Sequence, residues 1–292
     1  MKLKAALEQE KFVVTSEVQA PLSEEDTSGH ARSSSPDQKS TPGFSAAALE
    51  LEGVVCDAIH TCGALRKNNV NVIYQTTTRD KNRYQLQKDL ILAHEAGVEN
   101  LLVFTEDYRI SGDTLQESMF FHVDSGKLAS VMDHLKAGIT IEKNELDDPI
   151  NFLMGCGIET PWGKNMSRRG MEEMEDMMNV GAGFFLTAPI FDIEQFARFM
   201  KQVEPFKVPV IAEVMILRTA GMGKFLNRHF KSGLVPEWVI QKMMSAPNKK
   251  QASMELFADT VNSLKDICQG VHIITIGGVD NLVPYLDAAK LR

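Results

Sequence analysis

Residues Gly97–Asp113, GVENLLVFTEDYRISGD, decide how the chain is read. A helical segment closes on Gly97, the apolar run Leu101–Phe104 follows, and Thr105-Glu106-Asp107 replaces aliphatic groups with polar and acidic ones. This is the pattern of a buried parallel strand that delivers a carboxylate at its far end. Upstream, Tyr84–Ala96 carries Leu86, Leu90, Ile91 and Leu92 at helical spacing. The run Val70–Tyr74 before it reads as a strand leading into Gln75-Thr76-Thr77-Thr78-Arg79-Asp80. Strand, helix, strand at this spacing is a βαβ unit.

The alternation continues in both directions. Phe152–Cys156, Gly183–Thr187, Val208–Ala212 and Val271–Ile276 read as strands. Arg169–Asn179, Ile193–Val203, Met222–His229, Glu237–Met244 and Gln251–Ile267 read as helices. Asp124 or Ser125 can cap a further helix through Leu135, and Leu282–Leu291 closes the chain as a helical turn. Such alternation predicts a (β/α)8 TIM-type barrel over residues 1–292 as one domain. A doubly wound sheet is the alternative, but no GxGxxG follows an early strand.

At the N-terminus, Leu3–Glu10 is a short amphipathic helix and Phe12–Val18 a strand with Glu17 near its end. Residues Ser23–Ser45 are rich in Ser, Pro, Gly and acids, the composition of a mobile loop or disordered insert. Ala46–Lys67 returns to helical spacing. Only seven strands are then evident, so the second β/α unit is either cryptic, within Gly53–Ile59, or missing. In barrels the chemistry gathers at the C-terminal ends of the strands, which makes Glu17 and Asp107 the first candidate site residues.

The 292-residue chain is 43% apolar and carries a net charge of −8, so neither a nucleic-acid footprint nor a polybasic membrane surface is expected. No apolar run approaches the ~20 residues of a membrane span, and the N-terminus lacks the apolar core of a signal peptide. A cytoplasmic protein is expected. Cys56, Cys62, Cys156 and Cys268 form no CxxC pair and are expected as reduced, largely buried thiols, with no metal site. His60, His94, His122, His134 and His229 show no metal spacing. The methionines from Met166 to Met178 recur at helical spacing and read as core or partner contact, and Trp162 and Trp238 as packing under loops.

Several motifs in order, MKLKAALEQEKFVVTSEV at the start, YQTTTRDKNRYQLQKDL, DYRISGD, FHVDS, GAGFFLTAPIFD and GVHIITIGG, resemble the methylenetetrahydrofolate reductase family, especially its short bacterial members without a regulatory domain. The resemblance runs the length of the chain outside Ser23–Ser45. It implies flavin, FAD or FMN, bound near the C-terminal strand ends, with reduced nicotinamide (NADH or NADPH) or a partner reductase supplying electrons. The implied substrate is methylenetetrahydrofolate, reduced to 5-methyltetrahydrofolate in one-carbon metabolism and methionine biosynthesis, and an oligomer is expected. By position, Glu17 would be the acid that opens the folate's five-membered ring, and Asp107 would sit near the pterin and the flavin. Gln75, Thr77 and Asp80 would line the flavin by hydrogen bonds, with Thr105 and Glu106 bordering it.

Three departures from the family pattern stand out. Thr105-Glu106 occupies a place where the family commonly has glycine before the aspartate. Leu186-Thr187-Ala188-Pro189 lacks the family's folate-holding glutamine. A basic residue facing the flavin diphosphate falls near Asp176 or Met177, leaving Lys164, Arg168 and Arg169 to supply positive charge. These departures keep a second reading open, a non-catalytic or folate-binding paralogue acting as a subunit of a one-carbon enzyme complex. A folate-dependent methyl transferase is a third, without a cobalamin or zinc motif to accompany it.

Overall fold

Eight short runs rich in β-branched and aliphatic residues pair side by side because each is apolar on both faces, and only a sheet covered on both sides can bury them. In the computed structural model, which describes residues 2–17, 51–78, 81–104, 124–158, 166–229, 233–275 and 282–292, these runs are β1 (Val13–Glu17), β2 (Gly53–Cys56), β3 (Val72–Thr77), β4 (Asn100–Phe104), β5 (Leu153–Ile158), β6 (Ala182–Pro189), β7 (Val210–Met215) and β8 (Gly270–Ile274). They pair in chain order, all parallel, and β8 closes on β1. The (β/α)8 barrel expected from the alternation is therefore complete.

Helix α1 (Lys2–Glu8) precedes β1, and α2 (Ile59–Lys67), α3 (Arg83–Glu95), α4 (Ser125–Lys136), α5 (Arg168–Val180) and α6 (Ile193–Val203) each link one strand to the next. Three helices, α7 (Ala220–His229), α8 (Glu237–Ser245) and α9 (Lys249–Leu264), lie between β7 and β8, and α10 (Leu282–Ala288) follows the last strand. The ends follow from local chemistry. Asn82, Asp124, Ser167 and Asp192 each accept a backbone N–H of the first turn of α3, α4, α5 and α6. Gly97, at φ 79°, takes the left-handed conformation that ends α3 and aims the chain into β4.

Alternate residues face opposite ways along each strand. One set, including Val14, Val54, Val72, Leu101, Val103, Phe185, Ala212 and Val271, joins the large core beneath the helices. The other set, Val13, Val55, Ile73, Leu102, Phe184, Leu186 and Ile211, fills the barrel interior. Leu3 and Leu7 of α1 belong to this interior cluster, so α1 stoppers the N-terminal end of the barrel. The interior mixes large and small residues: a Cβ on Gly155 would lie 2.1 Å from the Phe184 ring, and one on Gly157 would lie 2.3 Å from the Phe104 ring. Two phenyl rings thus occupy space that two glycines leave.

Three expectations are corrected here. The helix expected over Ala46–Lys67 begins only at Ile59, and Gly53–Cys56 is β2, the cryptic strand; residues 46–50 lie outside those described. Four consecutive buried residues bury both faces of this strand, and that removes the period of two by which a strand is recognised. Cys56 and Cys62 are joined as a disulfide across a Cα–Cα separation of 6.1 Å, because the strand end and the first turn of α2 fold back on each other. Cys156 and Cys268 are free and buried, and burial pushes their thiols up to about 12 and about 11. Trp238 is 60% exposed on α8 rather than packed under a loop, and Trp162 lies outside the described residues. Met174 and Met177 are buried and Met166, Met171 and Met178 pack against the same core, so that methionine run is interior packing.

Candidate active site

Towards the C-terminal end of the barrel the inward positions change from aliphatic to polar. Stepping by two from the interior residues leads from Val13 to Thr15 and Glu17, from Val55 to Asp57, from Ile73 to Gln75 and Thr77, and from Ile211 to Glu213. On β8 the step from Gly270 reaches His272. Strand register places Thr15, His272 and Glu213 side by side on β1, β8 and β7, with Glu17 one inward position higher.

This row is held from several directions. Thr15 Oγ1 and His272 Nδ1 are 3.0 Å apart in a hydrogen bond. The pairing of β6 with β7 shifts register between Leu186 and Pro189, an irregularity of the kind that re-aims side chains beside functional sites. Within that shift the Glu213 backbone N–H donates to Thr187 Oγ1 at 3.1 Å, and the Ile190 N–H donates to the Glu213 carbonyl at 2.9 Å. Glu213 is thereby fixed on both its backbone groups.

Burial sets the charges. Desolvation raises the Glu17 carboxyl above its ordinary value, and the nearby Asp57 charge raises it further. Glu213 is more deeply enclosed, so desolvation raises it well above the ordinary range, and the Glu17 charge adds to the effect. Burial lowers His272 to about 4, leaving a neutral imidazole. These features assemble two carboxyls of raised proton affinity beside a neutral histidine, a set suited to proton transfer at the mouth of a barrel.

His272 also gives a pH signature. The unfolded histidine takes up a proton below about 6.5, whereas the folded one stays neutral down to about 4. Its neutral burial therefore costs stability progressively as pH falls through that window, by about 1.4 kcal/mol per pH unit at most, and not above it. Denaturant titrations of wild type and His272→Gln across the window should give a difference that closes in the variant's favour as pH falls. A difference independent of pH would contradict the assignment.

Of the residues expected at the site, Glu17, Gln75 and Thr77 sit at the C-terminal ends of β1 and β3, all half-buried and all on the inward face. Arg168 opens α5 on the surface, its side chain 93% exposed, where Nε donates to Glu172 at 2.9 Å; Arg169 pairs likewise with Glu173 at 2.7 Å. Asp107, Asp80, Thr105, Glu106 and Lys164 lie outside the described residues. Sequence reasoning missed Glu213 and His272. The available signal was an ionisable residue inside an apolar strand, which a buried sheet tolerates only when the residue is neutral or partnered. Among the described residues no cluster of His, Cys, Asp and Glu could hold a metal ion, and no helix is long and apolar enough to cross a membrane.

A closed parallel barrel with buried carboxyls at its C-terminal mouth is the (β/α)8 architecture, in which functional groups gather at that end. The chain belongs to the methylenetetrahydrofolate reductase family, whose model matches residues 2–283, and this makes it a folate-related oxidoreductase. No curated protein matches it. Among solved structures, 2,3-dimethylmalate lyase, a member of the PEP mutase/isocitrate lyase superfamily, superposes with a TM-score of 0.50 at 10% identity, covering 99% of this chain and 81% of that one. Oxaloacetate acetylhydrolase in complex with 3,3-difluorooxalacetate gives 0.51 at 11% identity, covering 99% and 83%. At these identities the likeness is one of fold alone.

Proposed function

We propose that the protein reduces 5,10-methylenetetrahydrofolate to 5-methyltetrahydrofolate with a bound flavin, FAD or FMN, recharged by NADH, NADPH or a partner reductase. The observation that carries this reading is Glu17: a carboxyl at the C-terminal end of β1, facing the interior mouth, with its proton affinity raised by burial and by Asp57. Opening the folate's five-membered ring requires a proton on a weakly basic nitrogen, and a carboxyl of raised pKa is an efficient donor near neutral pH. Glu17 would hold that proton and release it to the ring nitrogen.

The flavin, when bound, supplies the hydride relay between nicotinamide and the substrate's methylene carbon. Gln75 and Thr77, inward and half-buried at the end of β3, suit the hydrogen-bonding edge of a flavin ring. Asp80, Thr105 and Glu106 would complete that side, and Asp107 would stabilise developing positive charge on the folate as an ionised group. Lys164 would face the diphosphate. Arg168 is a weaker candidate for that role, since Glu172 already engages its guanidinium at the surface.

The test is anaerobic: purified protein is treated with NADH or NADPH and then with methylenetetrahydrofolate while flavin absorbance is followed. Bleaching by nicotinamide and return of colour with folate are expected. The pairing of Arg168 and Arg169 with acids favours the second reading, a non-catalytic subunit of a one-carbon complex. Colourless protein that takes up neither FAD nor FMN would decide for it.

A further inference from the structure

We propose that Glu213 is a second carboxyl of the site, coupled to Glu17, and that Glu213 keeps its own proton when Glu17 gives its proton up. The proposal deepens the folate-reductase reading, because it names what sets the charge around the proton donor.

The geometry starts on β7. The segment VIAEVM would be an unbroken apolar strand but for one residue, and that residue shares the inward face with Ile211. Only 8% of Glu213 is exposed, and no salt bridge to it is found among the described residues. Its backbone is clamped by Thr187 and Ile190 at the β6–β7 register shift, so the side chain cannot swing to solvent by a change in strand pairing.

Among the described residues no cation faces it. Among the described residues the titratable groups beside it are Glu17 on β1, whose charge acts on it, and His272, its register partner on β8, which burial keeps neutral; Asp57, just beyond β2, acts on Glu17. Towards the mouth, the described inward positions of β3 to β6 include Gln75, Thr77, Phe104, Gly157 and Leu186, none of which ionises. With no counter-charge among the described residues, ionisation of one carboxyl opposes ionisation of the other, so they lose their protons in two steps that belong to the pair. The more exposed member gives up its proton first. Glu17 is half-buried and Glu213 buried, and this fixes the order. Glu213 then acts as a positioning residue: by staying neutral it lets Glu17 become an anion without a second negative charge beside it.

The experiment needs neither folate nor flavin, and its failure is therefore separable from failure of the reductase reading. Infrared difference spectra of the full chain are recorded as a function of pH, following the carbonyl stretch of protonated carboxyls. Wild type is expected to lose this band in two pH steps, and Glu213→Gln to lack the step at the higher pH. In Glu17→Gln the band should persist but disappear at a lower pH than in wild type, because no charge at residue 17 then opposes ionisation of Glu213. Loss of the wild-type band in a single step, survival of the higher-pH step in Glu213→Gln, or an unmoved midpoint for Glu213 in Glu17→Gln would each overturn the proposal. Should Glu213→Gln fail to fold, the wild-type band and the Glu17→Gln shift still decide.

Discussion

Glu17→Gln is expected to slow transfer from the reduced flavin to methylenetetrahydrofolate by about 100- to 10,000-fold, the usual contribution of a positioned general acid, while reduction of the flavin by nicotinamide stays near the wild-type rate. The asymmetry follows from where the proton is needed. Hydride transfer from nicotinamide to flavin asks nothing of a carboxyl at the end of β1, whereas opening the folate ring asks for a proton on nitrogen. Glutamine preserves size and hydrogen bonding and removes only the transferable proton. Stopped-flow absorbance of the two half-reactions, measured separately under anaerobic conditions, reads the split. Equal loss in both would mean that Glu17 shapes flavin binding instead of donating a proton.

The pH dependence of the folate half-reaction carries the same assignment. Burial and Asp57 raise the Glu17 carboxyl, so the competent protonated form persists to a higher pH than an ordinary glutamate would allow and is lost as pH rises through the raised value. The rate should fall on the alkaline side with that ionisation, and Asp57→Asn should move the fall to lower pH. Removing the second-largest cause lowers the Glu17 pKa and leaves the burial contribution in place.

Much of the barrel could be read from spacing because its units repeat one physical problem, a strand buried on both faces followed by a helix with one apolar side. Leu101–Phe104 and Gly183–Thr187 stand out because polar or turn residues bracket their apolar runs. Gly53–Cys56 does not, since Val54, Val55 and Cys56 run directly into a helix whose own apolar residues continue the pattern. Glu17 was accessible because it ends a strand, where a carboxylate has few structural reasons to be. Glu213 was hidden by the expected end of its strand at Ala212; the extension to Met215 turns a residue just past a strand into one inside it. His272 escaped notice for a related reason: among seven histidines, metal spacing is the obvious pattern to seek, and a histidine whose importance lies in being kept neutral has no spacing signature. The Cys56–Cys62 bond depends on the same unread strand, because the two sulfurs meet only when residue 56 ends β2 and residue 62 lies in the first turns of α2.

Gly155→Ala is expected to destabilise the protein by about 1–3 kcal/mol or more, the range for adding a methyl group to a filled core. Alanine is otherwise the smallest of changes, and in a helix it would help. Gly63, inside α2, provides that contrast: its added Cβ would meet only Ala96 at 3.6 Å, an ordinary contact, so Gly63→Ala should stabilise by about 0.5–1 kcal/mol. At Gly155 the added carbon would lie 2.1 and 2.2 Å from two carbons of the Phe184 ring, which is fully buried and has nowhere to withdraw. The steric origin is checked by a double-mutant cycle in denaturant. Phe184→Leu alone should also destabilise, by opening space, but combined with Gly155→Ala it should cost less than the sum, with a coupling of about 0.5–3 kcal/mol. Additivity would mean that the ring and the glycine do not share the interior space. The Leu102, Gly155 and Phe184 row lies in the same barrel interior as the inward carboxyls, so an uncoupled cycle would also weaken the packing on which the placement of Glu17 and Glu213 depends.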